Sequence, residues 1–325
     1  MGAELIRCNL KRSYLVAAAI VILAVLIVGA TYYYGGPKPP GTYPVVTYGS
    51  TQDWSTNPDP AQDYDCQMLA NSAFEGLYGM TPGIFPDSGF EPRLAAGEPT
   101  ISADGLEWTI PLRTGVMFQD GTPFNASAMK FSLDRVKTLA GSPAYLFDPI
   151  SSTEVVDTYT LKIVLNYPYA GLKSVLALFA AGAVSPSAVA RMGQEKFQQL
   201  PEGAGPFKIT EWVPGDHLTL QPFEGYWDKN RIPQVTIVYK VYKDPSAMSL
   251  DLEKGDIDMV GDYVATSDIP HLMTLAQLKY INYNELYVHW LTLSTGIPGS
   301  PLQDVRVRKA IAYSIDQDEI SERVY

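Results

Sequence analysis

Between Gly203 and Val260 the hydrophobic pattern switches period twice, and few architectures accommodate that succession. Phe207, Ile209 and Trp212 begin a strand, and Pro214-Gly215-Asp216 makes a turn. Leu218 and Leu220 then alternate, as a hairpin strand with one buried face should. Gly225-Tyr226-Trp227-Asp228 forms a compact aromatic knob, after which Val235, Ile237, Tyr239 and Val241 alternate again. Asp244 or Pro245 opens a helix whose apolar face carries Met248 and Leu252, with Ala247 beside them. Gly255 supplies a left-handed C-cap, and Asp256-Ile257-Asp258-Met259-Val260 turns into a further strand. Hairpin, strand, helix and strand in that order predict an α/β fold around a mixed sheet.

The remaining chain bounds the function classes. Its 325 residues, 46% hydrophobic and 18% charged, suffice for one large or two ordinary domains. A net charge of −11 with no Lys/Arg block beyond residue 12 argues against nucleic acid, whose phosphates require cationic partners. His217, His271 and His289 have no second histidine at i+3 or i+4, so a metal cluster is not expected. The acidic run Asp256, Asp258, Asp262 lacks the oxygens and terminal Glu of a calcium loop. No nucleophile elbow, phosphate loop or dinucleotide fingerprint occurs, and no carboxylate pair can be placed together, so neither an enzyme nor a cofactor is expected.

The N-terminus carries Arg7, Lys11 and Arg12 before an uncharged run from Tyr14 to Tyr34, long enough to span a bilayer as a helix. Tyr32, Tyr33 and Tyr34 suit an interfacial belt, and the basic flank orients the N-terminus inward. Two readings fit: a retained single-pass anchor with the bulk of the chain outside, which the length favours, or a signal peptide cleaved after Val28-Gly29-Ala30. Cys8 and Cys66 flank this run and are not expected to pair. Residues 35–42 read as a proline-stiffened linker.

Several motifs in order carry a family resemblance. They are GPFKITEW, GDHLTL, GYWD, DPSA and LEKGDIDMV of the opening stretch, Glu75-Gly76-Leu77-Tyr78, and Pro92-Arg93-Leu94-Ala95. To these add Phe118-Gln119-Asp120-Gly121-Thr122-Pro123-Phe124 and the helix Asp304-Val305-Arg306-Val307-Arg308-Lys309-Ala310-Ile311, with Asp316 following. Together they resemble family 5 of the extracytoplasmic solute-binding proteins, the dipeptide, oligopeptide and nickel type that serve ABC importers. Ser127-Ala128-Met129 departs from the family's usual acid and aliphatic pair. Asp120-Gly121 reads as a turn, and Asn125 as the N-cap of a helix to about Leu139 rather than a glycosylated sequon.

The resemblance implies a periplasmic-binding-protein-like N-terminal lobe over residues 43–295, and the start of a second lobe over 296–325 that is largely missing. It implies capture of a small solute, with peptide the commonest class, and delivery to permease and ATPase subunits. Nickel chelates and oligosaccharides are the other solutes it admits, and a non-transport surface protein derived from such a lobe is the rival. Ligand contacts are expected on the loop after the first strand (Asp53, Trp54, Asp63, Tyr64), which also holds Asp59-Pro60. Tyr145 and the crossing segment with Trp290 and Ser294 complete the expected set. Ser294 stands where the family usually has Asn.

Overall fold

The computed structural model describes residues 43–53, 57–63, 67–80, 89–261, 264–281 and 291–324. The run 14–34, both cysteines, Trp54, Tyr64, Asp262 and Trp290 lie outside the described residues, as does most of the strand expected at 286–292. Among the described residues no helix is long and apolar enough to cross a membrane.

The opening stretch folds as its periodicity dictates. Strands β8 (Phe207–Val213) and β9 (His217–Pro222) form the hairpin, and β10 (Thr236–Val241) pairs antiparallel with β9. Helix Pro245–Lys254, capped by Asp244 and closed by Gly255 at φ 81°, leads to β11 (Met259–Val260). The chain's first strand, β1 (Val45–Ser50), inserts between β10 and β11, parallel to both. The result is a five-stranded mixed sheet in the order β11-β1-β10-β9-β8. Tyr48 opposes Tyr239 in this register and stacks on it with ring centroids 4.6 Å apart. Asp258, the middle member of the acidic run, uses its carboxylate to accept the Thr47 N–H at 2.7 Å, so it fastens the approach to β11 onto β1.

A second, antiparallel sheet is built from β4 (Thr100–Ile101), β5 (Glu107–Pro111), β6 (Ile150–Asp157) and β7 (Thr160–Leu165), in the order β4-β5-β7-β6. At its Asp104-Gly105 turn only Gly105 adopts positive φ, because Asp104 instead accepts the Ser102 hydroxyl and the Leu106 N–H. Helix Ala126–Leu139 packs on β6 and β7 and buries Met129, Leu133 and Val136, and the Asn125 side chain caps it by accepting the Ala128 N–H at 3.0 Å. Two short strands, β2 (Tyr78–Met80) and β3 (Phe90–Pro92), form a ribbon.

The residue pattern also predicts helices over Asp65–Tyr78 and from Asp268 to about Leu278, and both are shorter in the structure. The one predicted over Asp65–Tyr78 is observed as Gln67–Ala73, because the chain must leave the helix for Leu77 to pair with Arg93 and Ala95. The one predicted from Asp268 to Leu278 is helical only over Ile269–Leu272.

One buried amide ties the sheets' connections together. Gln119 donates Nε2 to the carbonyls of Ala73 (3.0 Å), Gly205 (3.3 Å) and Phe207 (2.6 Å), and its Oε1 accepts the Gly203 N–H at 3.1 Å. Every polar atom of that side chain is used, which is the condition for burying an amide at little cost. The main core runs from Tyr48 to Tyr239, and a smaller cluster of Tyr242, Met248, Leu252, Ile257 and Leu272 lies under helix Pro245–Lys254. The chain divides into two compact units, the first ending at Leu278 and the second beginning at Lys279. In the second unit Asp304 caps helix Val305–Tyr313, and Asp316 accepts the Glu319 N–H at the start of Gln317–Val324.

Candidate functional site

In open α/β sheets the crevice outside the carboxyl ends of parallel strands is where ligands bind. Here that edge is the end of β1. Ser50, fully buried, accepts the Gln52 N–H on its hydroxyl and the Tyr242 N–H on its carbonyl at 2.7 Å. The loop therefore starts stitched to the end of β10. Beside it Tyr242 donates to Asp251 at 2.7 Å, and this bond, with the Lys240 ammonium at 3.3 Å, holds the Asp251 carboxyl below its ordinary range.

From Ser50 the loop runs past Asp53, which is partly exposed, to an Asx-type turn at Asn57–Asp59. Asp59 is not solvated: it is 0% exposed and meets the guanidinium of Arg135 with both oxygens, Nη1 at 2.8 Å from Oδ1 and Nη2 on Oδ2. Gln194 closes the group, accepting from Arg135 at 2.9 Å and donating to Asp59 at 3.1 Å, while the guanidinium faces the Phe197 ring at 5.1 Å. Asp59 also accepts the Ala61 N–H, and its carbonyl accepts the Gln62 N–H. Planar, bidentate pairing of this kind fixes orientation as well as position.

The loop then lies on the turn after helix Ala126–Leu139. The Ser142 N–H donates to the Gln62 carbonyl at 3.0 Å. Gly141 is obligatory there, because a Cβ would come within 2.5 Å of the Ala61 and Gln62 carbonyl oxygens. Asp63 follows Gln62, and Tyr145, 61% exposed, lies three residues beyond Ser142. The structure thus joins the segments that carry Asp63 and Tyr145 into one rim, with Asp53 on the same loop. Ser294 is exposed in the second unit.

Sequence reasoning placed Asp59-Pro60 on this loop but not its partner, Arg135; nothing local marks a residue 76 positions away. It also missed Glu75 as the anchor of the aromatic knob. The joined segments carry the carboxylates of Asp53 and Asp63 and the exposed Tyr145. Among the described residues no group of three or more His, Cys, Asp and Glu is arranged to hold a metal ion.

Comparison with known proteins agrees with the sequence resemblance. The sequence profile of the bacterial extracellular solute-binding proteins, family 5 Middle, matches residues 89–325. The glutathione-binding protein GsiB of Salmonella choleraesuis is 29% identical over 282 residues, covering 85% of this chain and 52% of that protein. Among solved structures, the periplasmic binding protein DppA of Helicobacter pylori, in complex with the peptide STSA, is 25% identical. Its TM-score is 0.61, and the match covers 71% of this chain and 49% of DppA. A dipeptide-binding protein of Pseudoalteromonas solved with Met-Leu shares the fold at TM-score 0.76 and 19% identity, over 86% of this chain and 59% of that one. The chain spans about half the length of the curated relatives it matches.

Proposed function

Because this chain belongs to family 5 of the bacterial extracellular solute-binding proteins, we propose that it captures peptides for an ABC importer and hands them to permease and ATPase subunits. The observation that carries this reading is the rim at the carboxyl end of β1. Its acids, Asp53 and Asp63, are supplied by a loop that the buried Asp59–Arg135 pair holds in place. Its aromatic, Tyr145, is presented outward on an adjoining turn. An acid meets a peptide ammonium, and an aromatic wall takes an apolar side chain, as small-solute sites require. On the same loop Trp54 and Tyr64 are proposed as further contacts, and Trp290 and Ser294 are proposed as contacts of the second unit. Two relatives lend support to a peptide ligand: GsiB binds glutathione, itself a tripeptide, and DppA was solved with a tetrapeptide.

Isothermal titration of the purified protein with glutathione, Met-Leu and a tri- and tetrapeptide library tests the reading. Binding of at least one peptide, weakened roughly tenfold by Tyr145→Ala, is expected; such a loss corresponds to about 1.4 kcal/mol. Binding of oligosaccharide or nickel–histidine but no peptide would replace the peptide assignment, and silence toward all of them would remove the capture role. The uncharged run 14–34 is proposed to tether the protein, facing outward. Mass spectrometry of the cell-derived protein checks this, since a mature N-terminus at Thr31 would show a cleaved signal instead.

A further inference from the structure

Glu75 follows helix Gln67–Ala73 by two residues and is 9% exposed. Its carboxyl group receives the whole aromatic knob. The Tyr226 hydroxyl lies 2.8 Å from Oε1 and 2.9 Å from Oε2, and the Trp227 indole donates to Oε2 at 2.6 Å. Cationic compensation is thin by comparison. Arg93, just past β3, brings Nη1 to 3.8 Å from Oε1, but its Nη2 is committed to Glu91 at 2.6 Å. Arg231 pairs with the same Glu91 at 3.0 Å and approaches Asp228 at 3.5 Å. Arg113 donates Nε to the Arg93 carbonyl and lays its guanidinium 3.9 Å from the centre of the Trp227 ring. The charged groups facing Glu75 are therefore Arg93, Arg113 and Arg231, with Glu91 and Asp228 drawing on two of those three cations.

We propose that Glu75 is a proton-operated fastening for the knob, holding the junction between the β2–β3 ribbon and the β8–β9–β10 hairpin sheet more firmly in acid than above neutral pH. A buried carboxylate whose nearest cation is shared does not recover its lost hydration. The Tyr226 hydroxyl, within reach of both oxygens, donates to the ionised group and accepts from the protonated one, so the contact survives in either state. Burial pushes the Glu75 carboxyl up to about 7 from an ordinary 4.5, against the opposing bonds from Trp227 and Tyr226 and the pull of Arg231 and Arg113. The folded value is raised, so the native state keeps a proton that the unfolded chain releases. Stability from this group is full below pH 4.5 and is lost as pH rises toward about 7. The device is independent of which solute the protein carries.

Thermal unfolding of the full chain and of Glu75→Gln between about pH 5.5 and 8 tests it. Gln reproduces the protonated form, accepting from Trp227 and donating to Tyr226. The wild-type Tm is expected to fall by about 5 °C more than that of the variant over this range. His217, between Asp216 and Glu211, titrates in both proteins and cancels in the difference. Parallel curves would overturn the proposal. If Glu75→Gln does not fold, the Trp227 indole nitrogen resonance of the wild-type chain reads the same carboxyl directly. A midpoint near 7 supports the fastening, and no titration above pH 5 refutes it.

Discussion

Replacing Arg135 by Met isolates what the buried ion pair does for the β1 loop. The variant keeps an unbranched stem against Phe197 but removes both bonds to Asp59. Asp59, fully buried in the folded chain, loses its bidentate cationic partner. Removing one member of a buried ion pair leaves the other charge desolvated, and a loss of about 3–5 kcal/mol is expected. At about 2–4 °C per kcal/mol, the Tm should drop by about 6–20 °C. Asp59→Asn combined with Arg135→Met replaces the pair by neutral groups and should recover a good part of the loss, giving a large coupling energy. Urea unfolding followed by tryptophan fluorescence supplies all four corners of the cycle. A single Arg135→Met loss below about 1 kcal/mol, or a double variant whose loss equals the sum of the singles, would refute the reasoning.

Two further outcomes follow, one from the turn beneath the rim and one from a capped carboxylate elsewhere in the first unit. Gly141→Ala forces a methyl against the Ala61 and Gln62 carbonyls, so it should lift residues 57–63 and cost about 2 kcal/mol or more. Faster proteolysis within that loop reads the change, and an unaltered cleavage pattern counts against it. Asp120 accepts from Ser185 at 2.5 Å and from Thr122 at 2.6 and 2.9 Å; burial opposes its charge, but these bonds prevail and hold its carboxyl below the ordinary range. The folded value is depressed, so this stability is present above about pH 4 and disappears as pH falls further. Tm measured from pH 5 down to 2 should therefore fall more steeply in the wild type than in Asp120→Asn, and identical slopes would exclude the role.

Local chemistry was readable from the residues, and distant chemistry was not. Asn125, Asp244 and Asp304 were legible as helix starts because each accepts a backbone N–H two or three residues on. Gly255 was legible as a stop because a positive φ is costly for any side chain. The hairpin at Pro214-Gly215-Asp216 follows from alternation on both sides of a turn, and it forms with Val213 opposite His217. The helix drawn through Glu75 and Tyr78 was misjudged because its end is set by Leu77 pairing with Arg93 and Ala95, not by anything within the segment. The loop after β1 was found by its place behind the first strand. That Asp59 is buried could not be read, since the residue that neutralises it sits on a distant helix. Tyr226 and Glu75 are 151 positions apart, and neither one's neighbours announce the other.

β1 has a consequence for the order in which this protein can be assembled. Both partners of the strand lie far downstream of it in the chain: Val45 pairs with Thr236, and Tyr48 with Met259. A growing chain holds β1 without either neighbour until nearly the whole first unit has left the ribosome. The centre of the mixed sheet therefore closes last, across long loops, which makes closure slow. For a member of an extracellular family that delay is useful, because a chain that has not yet closed its sheet can still be threaded through a membrane.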